Sequence, residues 1–419
     1  MADHPSDCPQ YCCSDFANFL NDLLAEHPKP DLKNDIHPLL TYDKFPMISE
    51  EGYRMLELTL RLATKMLEDD RTVEYVVTTV DGSLHLDHDV ASKPGREVTY
   101  AEIDAQPNAK DAAGISTTRL LRYPRARLVA NDQLTAPVWV TDDMRQRARD
   151  ILRTLAEVLE RIDVVDMFGE GRTNTTNGIL SPAAQKMFPR GQMAKITFSQ
   201  TTIGAFLQYK DPHCPQALAE QYILARSFVH ELAHVLSQAV NGARQEEVYY
   251  KDCVLAEAGF DLENALFGGI ASMHQMGEYT EHPKDLTGQA VIQELYPTGR
   301  LSKQYAGNGA SVGQRAELDE FCTVQRIPWL FMTTMFTEKF WREDVPNMGS
   351  GPIQPKKKVR WVIKLVLPGE EVLLQDGNQM MADAPMIITC SPTDRSLPIR
   401  VQEVLKGIKR TQRRVQAQV

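Results

Sequence analysis

One run of nine residues constrains this chain more than any other: Phe228-Val229-His230-Glu231-Leu232-Ala233-His234-Val235-Leu236. Two imidazoles and a carboxylate stand in an otherwise apolar stretch, and polar groups buried in this way need partners. The run predicts a buried helix on which His230 and His234, four residues apart, share a face. The same helix is predicted to begin near Pro215, to pass through Leu218, Tyr222, Ile223 and Ser227, and to end about Val240, with Asn241-Gly242 as its stop. Two imidazoles one turn apart suit a single metal ion. Glu231 lies about 100° further round, where it can reach a water on that ion. The pattern H-E-x-x-H is read as part of a hydrolytic zinc site that still lacks a ligand. The competing reading is a pair of core histidines bonded to their neighbours.

The missing ligand is expected downstream. A metzincin-type third histidine would stand at position 240 with glycine at 237. The chain has Val240 and Ser237, which excludes that pattern. A second helical pattern runs from about Asp252 through Val254, Leu255, Ala258, Phe260, Leu262 and Leu266, and stops at Gly268-Gly269. Glu257 is conspicuous in so apolar a segment, and Ala256, Ala258 and Gly259 are small enough for another helix to approach closely. On that helix Asp261 falls one turn after Glu257. Glu257 can complete a metal site while Asp261 accepts the outer N–H of a ligand histidine, fixing its tautomer. Glu246 and Glu247 are the alternative third ligands, and a surface acid is the alternative role for Glu257.

These residues resemble the gluzincin branch of the zincin metallopeptidases, in which H-E-x-x-H on one helix is joined by E-x-x-x-D on the next. The match is His230, Glu231 and His234, then Glu257 and Asp261, with 22 residues between His234 and Glu257. The resemblance implies Zn²⁺ held by His230, His234 and Glu257, with Glu231 as general base and Asp261 supporting a ligand. It covers about residues 194–269, under a fifth of the chain. The string Glu257–Gly269 also resembles a group of uncharacterised filamentous-fungal proteins, which implies no substrate. Hydrolysis at such a centre needs a donor for the tetrahedral oxyanion. Tyr249, Tyr250, His274 and Tyr279 are the candidates, and the sequence does not rank them.

Elsewhere the signals are plainer. Ser14 caps a short predicted helix over about 15–26, and Ser49, Glu50 and Glu51 open a stronger one to about Glu68. Residues 73–80, rich in valine and threonine, read as a strand. Asp81-Gly82 follows as a turn, and then the alternating Leu84-His85-Leu86-Asp87-His88-Asp89. The last segment reads as an exposed strand or loop rather than a metal cluster. Thr141, Asp142 and Asp143 start a helix to about Ile162, residues 163–193 read as loop, and Lys195–Phe198 reads as a strand, either edge or interior. Ile327–Trp341 reads as a core helix and Trp361–Leu367 as a strand.

The net charge of −10 disfavours broad nucleic-acid binding. Seven scattered cysteines fit a reducing compartment. The N-terminus has no secretory pattern, and no 18-residue apolar run predicts a membrane span. An intracellular, cytoplasmic protein is expected. Lys356–Arg360 offers a nuclear-localisation reading, against the simpler one of a solvated strand entrance.

The expected fold is α-rich α+β, a zincin-like core with an active-site helix and a small mixed sheet. Three regions are expected: a helical and β-hairpin region over 1–124, the metal-binding domain over 125–345, and a strand region with a basic tail over 346–419. The expected function is a zinc hydrolase cleaving an amide bond of a peptide or protein substrate. The alternatives are a catalytically inactive zinc-binding protein with a structural or interaction role, and a metal-free interaction protein.

Overall fold

The computed structural model describes residues 25–87, 96–104, 119–124, 140–167, 171–242, 248–251, 257–275, 289–295, 321–348, 351–355, 361–366, 371–373, 379–381 and 386–390. It is α+β, rich in helix, with small sheets. The expected helix at 15–26 lies almost wholly outside the described residues, as do Glu246, Glu247, Tyr279 and the 356–360 basic run.

Helix α1 spans Glu50–Glu68, as its cap predicts: the Ser49 side chain accepts from the Gly52 N–H, and two acids occupy the first turn. The next segment departs from expectation. Residues 73–80 are not a strand but part of helix α2, Asp70–Asp81. Asp69 caps it by accepting from Arg71 N–H at 2.9 Å. Thr72, Val73, Tyr75, Val76, Thr78 and Thr79 are buried along it. β-branching disfavours helix by only a few tenths of a kcal/mol per residue. A cap and a buried face outweigh that.

Helix α3 spans Asp142–Val158, capped by Thr141 as predicted, but it stops four residues short of the expected end. Lys44 explains the stop. Its Nζ donates to the carbonyls of Ala156 and Leu159 at 2.8 Å each, satisfying groups that a further helical turn would have used. Leu159 is extended, and the chain continues as a strand over Leu159–Val165.

The strands in chain order are β1 Ser83–Asp87, β2 Arg96–Val98, β3 Arg119–Tyr123, β4 Leu159–Val165, β5 Gly171–Thr175, β6 Ala194–Ser199, β7 Tyr249–Tyr250, β8 Ile270–Gln275, β9 Gln289–Leu295, β10 Phe321–Arg326, β11 Trp361–Val366, β12 Glu371–Leu373, β13 Gln379–Met381 and β14 Met386–Cys390. Among the described residues they form sheets of order β2-β1-β3-β7, β4-β6-β5, β14-β11-β10-β9-β8 and β12-β13. The segment 163–193, read as loop, thus carries strand β5 and a short helix, Pro182–Met187. β6 is the interior strand, parallel to β4 and antiparallel to β5. His85 on β1 is buried rather than exposed, 3.0 Å from Ser83 Oγ with its ring edge-on to Tyr123.

Helix α4, Pro215–Asn241, is the central element. Pro215 opens it, and Gly242 ends it at a φ of 71°. It packs against α1, α2, β5, β6, helix α5 (Ala258–Phe267) and helix α6 (Trp329–Thr334). Tyr222, Phe228, Val229, Val235 and Leu236 are buried along it. Phe228 meets Phe198 of β6 edge to face at 4.7 Å and Phe45 at 5.9 Å. One hydrophobic core runs from Leu32 to Ile353. The expected helix over Ile327–Trp341 is only the short α6, followed by a turn and a π-helical segment, Phe340–Asp344.

Helix α2 sets the position of α5. Tyr75 Oη donates to Ala258 O at 3.0 Å at one end of α5, and Arg71 Nη1 donates to Leu266 O at 2.8 Å at the other. α5 begins at Ala258, six residues later than the pattern from Asp252 suggests; residues 252–256 lie outside the described part.

Candidate metal centre

His230 and His234 face the same side of α4, with their Nε2 atoms 3.3 Å apart. Glu257 is brought to them by the start of α5. It is not a helical residue there but the N-cap, with φ −143° and ψ 102°. Its Oε2 accepts the Phe260 N–H. Its Oε1 is aimed at the histidines, 2.6 Å from His234 Nε2 and 3.4 Å from His230 Nε2. One oxygen therefore anchors the side chain to the helix end, and the other is presented to the pair.

The close approach depends on a glycine. A Cβ on Gly259 would lie 2.4 Å from His230 Cε1 and Nδ1. The phenyl ring of Phe260 packs edge-on against His230, at 5.1 Å between centroids.

Two imidazole nitrogens and a carboxylate oxygen are the donor set of a catalytic zinc site. In a tetrahedron, zinc–ligand bonds of about 2.0–2.2 Å separate neighbouring donors by about 3.3–3.6 Å. The separations of 3.3 and 3.4 Å match that edge, and the 2.6 Å contact is a hydrogen-bond distance that would open by about 0.7 Å around an ion. The three side chains fit such an ion. They are 15–19% exposed.

The electrostatics agree with a place built for positive charge. Burial pulls the His230 imidazolium down, yet the carboxylates of Glu257 and Glu263 outweigh it and hold the group up at about 10. Burial pushes the Glu257 carboxyl up, but His234 and His230 outweigh it and hold the group well below the usual carboxylate range.

Glu231, next to His230 in the chain, is held against strand β5. It is 5% exposed, and its Oε2 accepts from Thr173 Oγ1 on β5 at 2.6 Å. The same hydroxyl lies 3.1 Å from the Glu231 carbonyl oxygen. A Cβ on Gly171 would meet Glu231 Oε1 at 2.8 Å, so β5 and the carboxylate are in close contact.

The support expected from Asp261 comes to His230 from another residue. His230 Nδ1 is 2.7 Å from Glu263 Oε1. Because Glu257 is an extended N-cap, the spacing E-x-x-x-D no longer places Asp261 on a shared helical face. Asp261 is 1% exposed, and its own N–H donates to Glu257 O at 3.0 Å. Glu263 is also paired with Arg226, whose Nη1 lies 2.9 Å from both its oxygens. Sequence reasoning missed Glu263, Arg226, Thr173 and Gly171. Arg226 carried a usable signal: it lies one turn before His230 on the same face of an apolar helix. A buried guanidinium there requires an acid from a neighbouring element.

Of the candidate oxyanion donors, Tyr250 is buried, with its ring 4.8 Å from that of Tyr75 and beneath Lys251 Nζ at 4.8 Å. Tyr249 pairs with Leu121, and His274 pairs with Ala290. Both side chains lie outside the described residues.

No family model, curated protein or solved structure matches this chain. Among the described residues no helix is long and apolar enough to cross a membrane.

Proposed function

We propose that this chain is a zinc-dependent hydrolase of zincin-like construction that cleaves an amide bond in a peptide or protein. The observation that carries the reading is the meeting of His230, His234 and Glu257 within 4.8 Å, with Glu231 adjacent to His230 in the chain and held by Thr173. Zinc, when bound there, supplies Lewis acidity and makes a water acidic near neutral pH. His230 and His234 would hold it through Nε2 and Glu257 through Oε1. Glu231 takes the water's proton and delivers it to the leaving nitrogen. Thr173 keeps the carboxylate of Glu231 directed between α4 and β5. The outer strand β5, antiparallel to β6 and set against α4, supports the zincin-like reading, since such an edge can take an extended peptide.

A zinc site that only staples a fold uses four protein ligands and is closed. Here three donors converge among the described residues, and each is partly exposed. That favours hydrolysis over the structural alternative.

The test is elemental analysis of wild type, His234→Ala and Glu257→Ala, followed by peptide-library cleavage with wild type and Glu231→Gln. The expected result is one zinc per chain, lost in both ligand variants, and cleavage abolished in Glu231→Gln with zinc retained. Wild-type protein that takes up no zinc on reconstitution would overturn the proposal. Zinc uptake with cleavage unaffected by Glu231→Gln would overturn the role of the base.

A further inference from the structure

We propose that the buried pair Glu263–Arg226 is the positioning device of the metal centre, with Glu263 locking the tautomer and orientation of His230. This rests on the zinc reading above and specifies which residues outside the ligand set sustain it.

Glu263 is completely buried and Arg226 nearly so, at 0% and 5% side-chain exposure. Both carboxylate oxygens accept from Arg226 Nη1, and Oε2 also faces the Ala271 N–H of β8 at 3.4 Å. A guanidinium stays charged at any physiological pH, and a carboxylate surrounded by donors acts only as an acceptor. The remaining partner of Oε1, His230 Nδ1 at 2.7 Å, must therefore be the donor. With one hydrogen held on Nδ1 by Glu263, Nε2 is the nitrogen that gives up its proton when a metal ion binds. That is the atom facing His234 Nε2 and Glu257 Oε1. Arg226 and His230 stand one turn apart on α4, while Glu263 rises from α5 and touches β8. The first ligand is thus referenced to three elements at one point. A buried ion pair is weak evidence for stability, because apolar residues of similar volume often serve a fold as well or better. Its contact with a ligand histidine supplies a reason that packing does not.

That contrast defines the experiment, made on the full chain. Arg226→Met with Glu263→Leu replaces the pair by apolar groups and removes the acceptor for Nδ1. Arg226→Met with Glu263→Gln removes the charges but keeps an acceptor oxygen. Zinc dissociation constants are measured by competition with a chromophoric chelator, and folding of the metal-free proteins is followed by circular dichroism. The Leu-containing variant is expected to fold and to bind zinc about 10–100-fold more weakly, with most of the loss recovered in the Gln-containing variant. Wild-type affinity in the folded Leu-containing variant would overturn the proposal. Nitrogen-15 spectra of zinc-loaded wild-type protein test it without substitution. His230 should show a protonated Nδ1 and a coordinated Nε2, and the reverse assignment would refute the lock. Wild-type protein without zinc affinity would instead overturn the metal reading beneath it.

Discussion

Gly259→Ala is the sharpest perturbation of this centre. Gly259 lies in the first turn of α5, in ordinary helical backbone, so alanine is compatible with its conformation. The nearest obstacle is His230. The new methyl group would sit 2.4 Å from Cε1 and Nδ1 and 2.5 Å from Cδ2. An ordinary carbon contact is about 3.5–4.0 Å, so the shortfall is at least about 1 Å. The ring cannot swing aside without breaking its 2.7 Å bond to Glu263. Otherwise α5 must move away, which carries Glu257 out of the 3.4 Å edge it shares with His230. Overpacking costs about 1–3 kcal/mol. Alanine returns at most about 1 kcal/mol of helix propensity, and less in a first turn. A net destabilisation of about 1–2 kcal/mol and a melting point lower by a few degrees follow. Zinc affinity, read by chelator competition, should fall by about tenfold or more. Gly204→Ala is the control, since nothing lies within 4 Å of a Cβ placed there. Unchanged zinc affinity in Gly259→Ala, with the fold intact, would refute the argument that close helix approach builds the centre.

Two further outcomes are expected. Thr173→Val keeps the shape of β5 but removes the hydroxyl 2.6 Å from Glu231 Oε2. A hydrogen bond to a charged group contributes about 1.5–3 kcal/mol, so cleavage should slow by about tenfold or more while zinc content is unchanged, and Thr173→Ser should recover activity. Equal turnover in Thr173→Val would remove Thr173 from the machinery. His37, held down at about 4 by burial and by Arg153, is neutral in the native state near neutral pH. Its unfolded form gains a proton first as pH falls. Its contribution is therefore intact above about pH 6.5 and is lost towards about pH 4, by about 3 kcal/mol at the limit. His37→Asn, which retains an acceptor for the Leu39 N–H, should flatten that part of the stability profile in pH-dependent melts. Identical slopes in both proteins would count against it.

Local chemistry made several elements legible in the sequence. Ser49, Thr141, Pro215 and Gly242 mark helix ends because caps and φ restrictions act within a few residues. His230, Glu231 and His234 are read together because a helix repeats every 3.6 residues. Glu257 stands out because an acid in an apolar segment needs a partner. Residues 73–80 misled because the helical pairing is decided by a buried face against other helices, and β-branching is a weak counterweight. Strand β5, Gly-Arg-Thr-Asn-Thr, carries no hydrophobic alternation and exists through its ladder with β6.

What the sequence determined by itself is the α-rich character and the three side chains able to share an ion. Only the tertiary structure decided which groups hold those side chains in place. Glu257 became an extended N-cap, and Glu263 rather than Asp261 reached His230. Lys44 ended α3 from a distant segment, and Tyr75 and Arg71 set both ends of α5. The reason is range: periodicity and capping are settled between neighbours in the chain. The partner of a buried charge is whichever group the packing brings within about 3 Å, and spacing along the chain does not encode that.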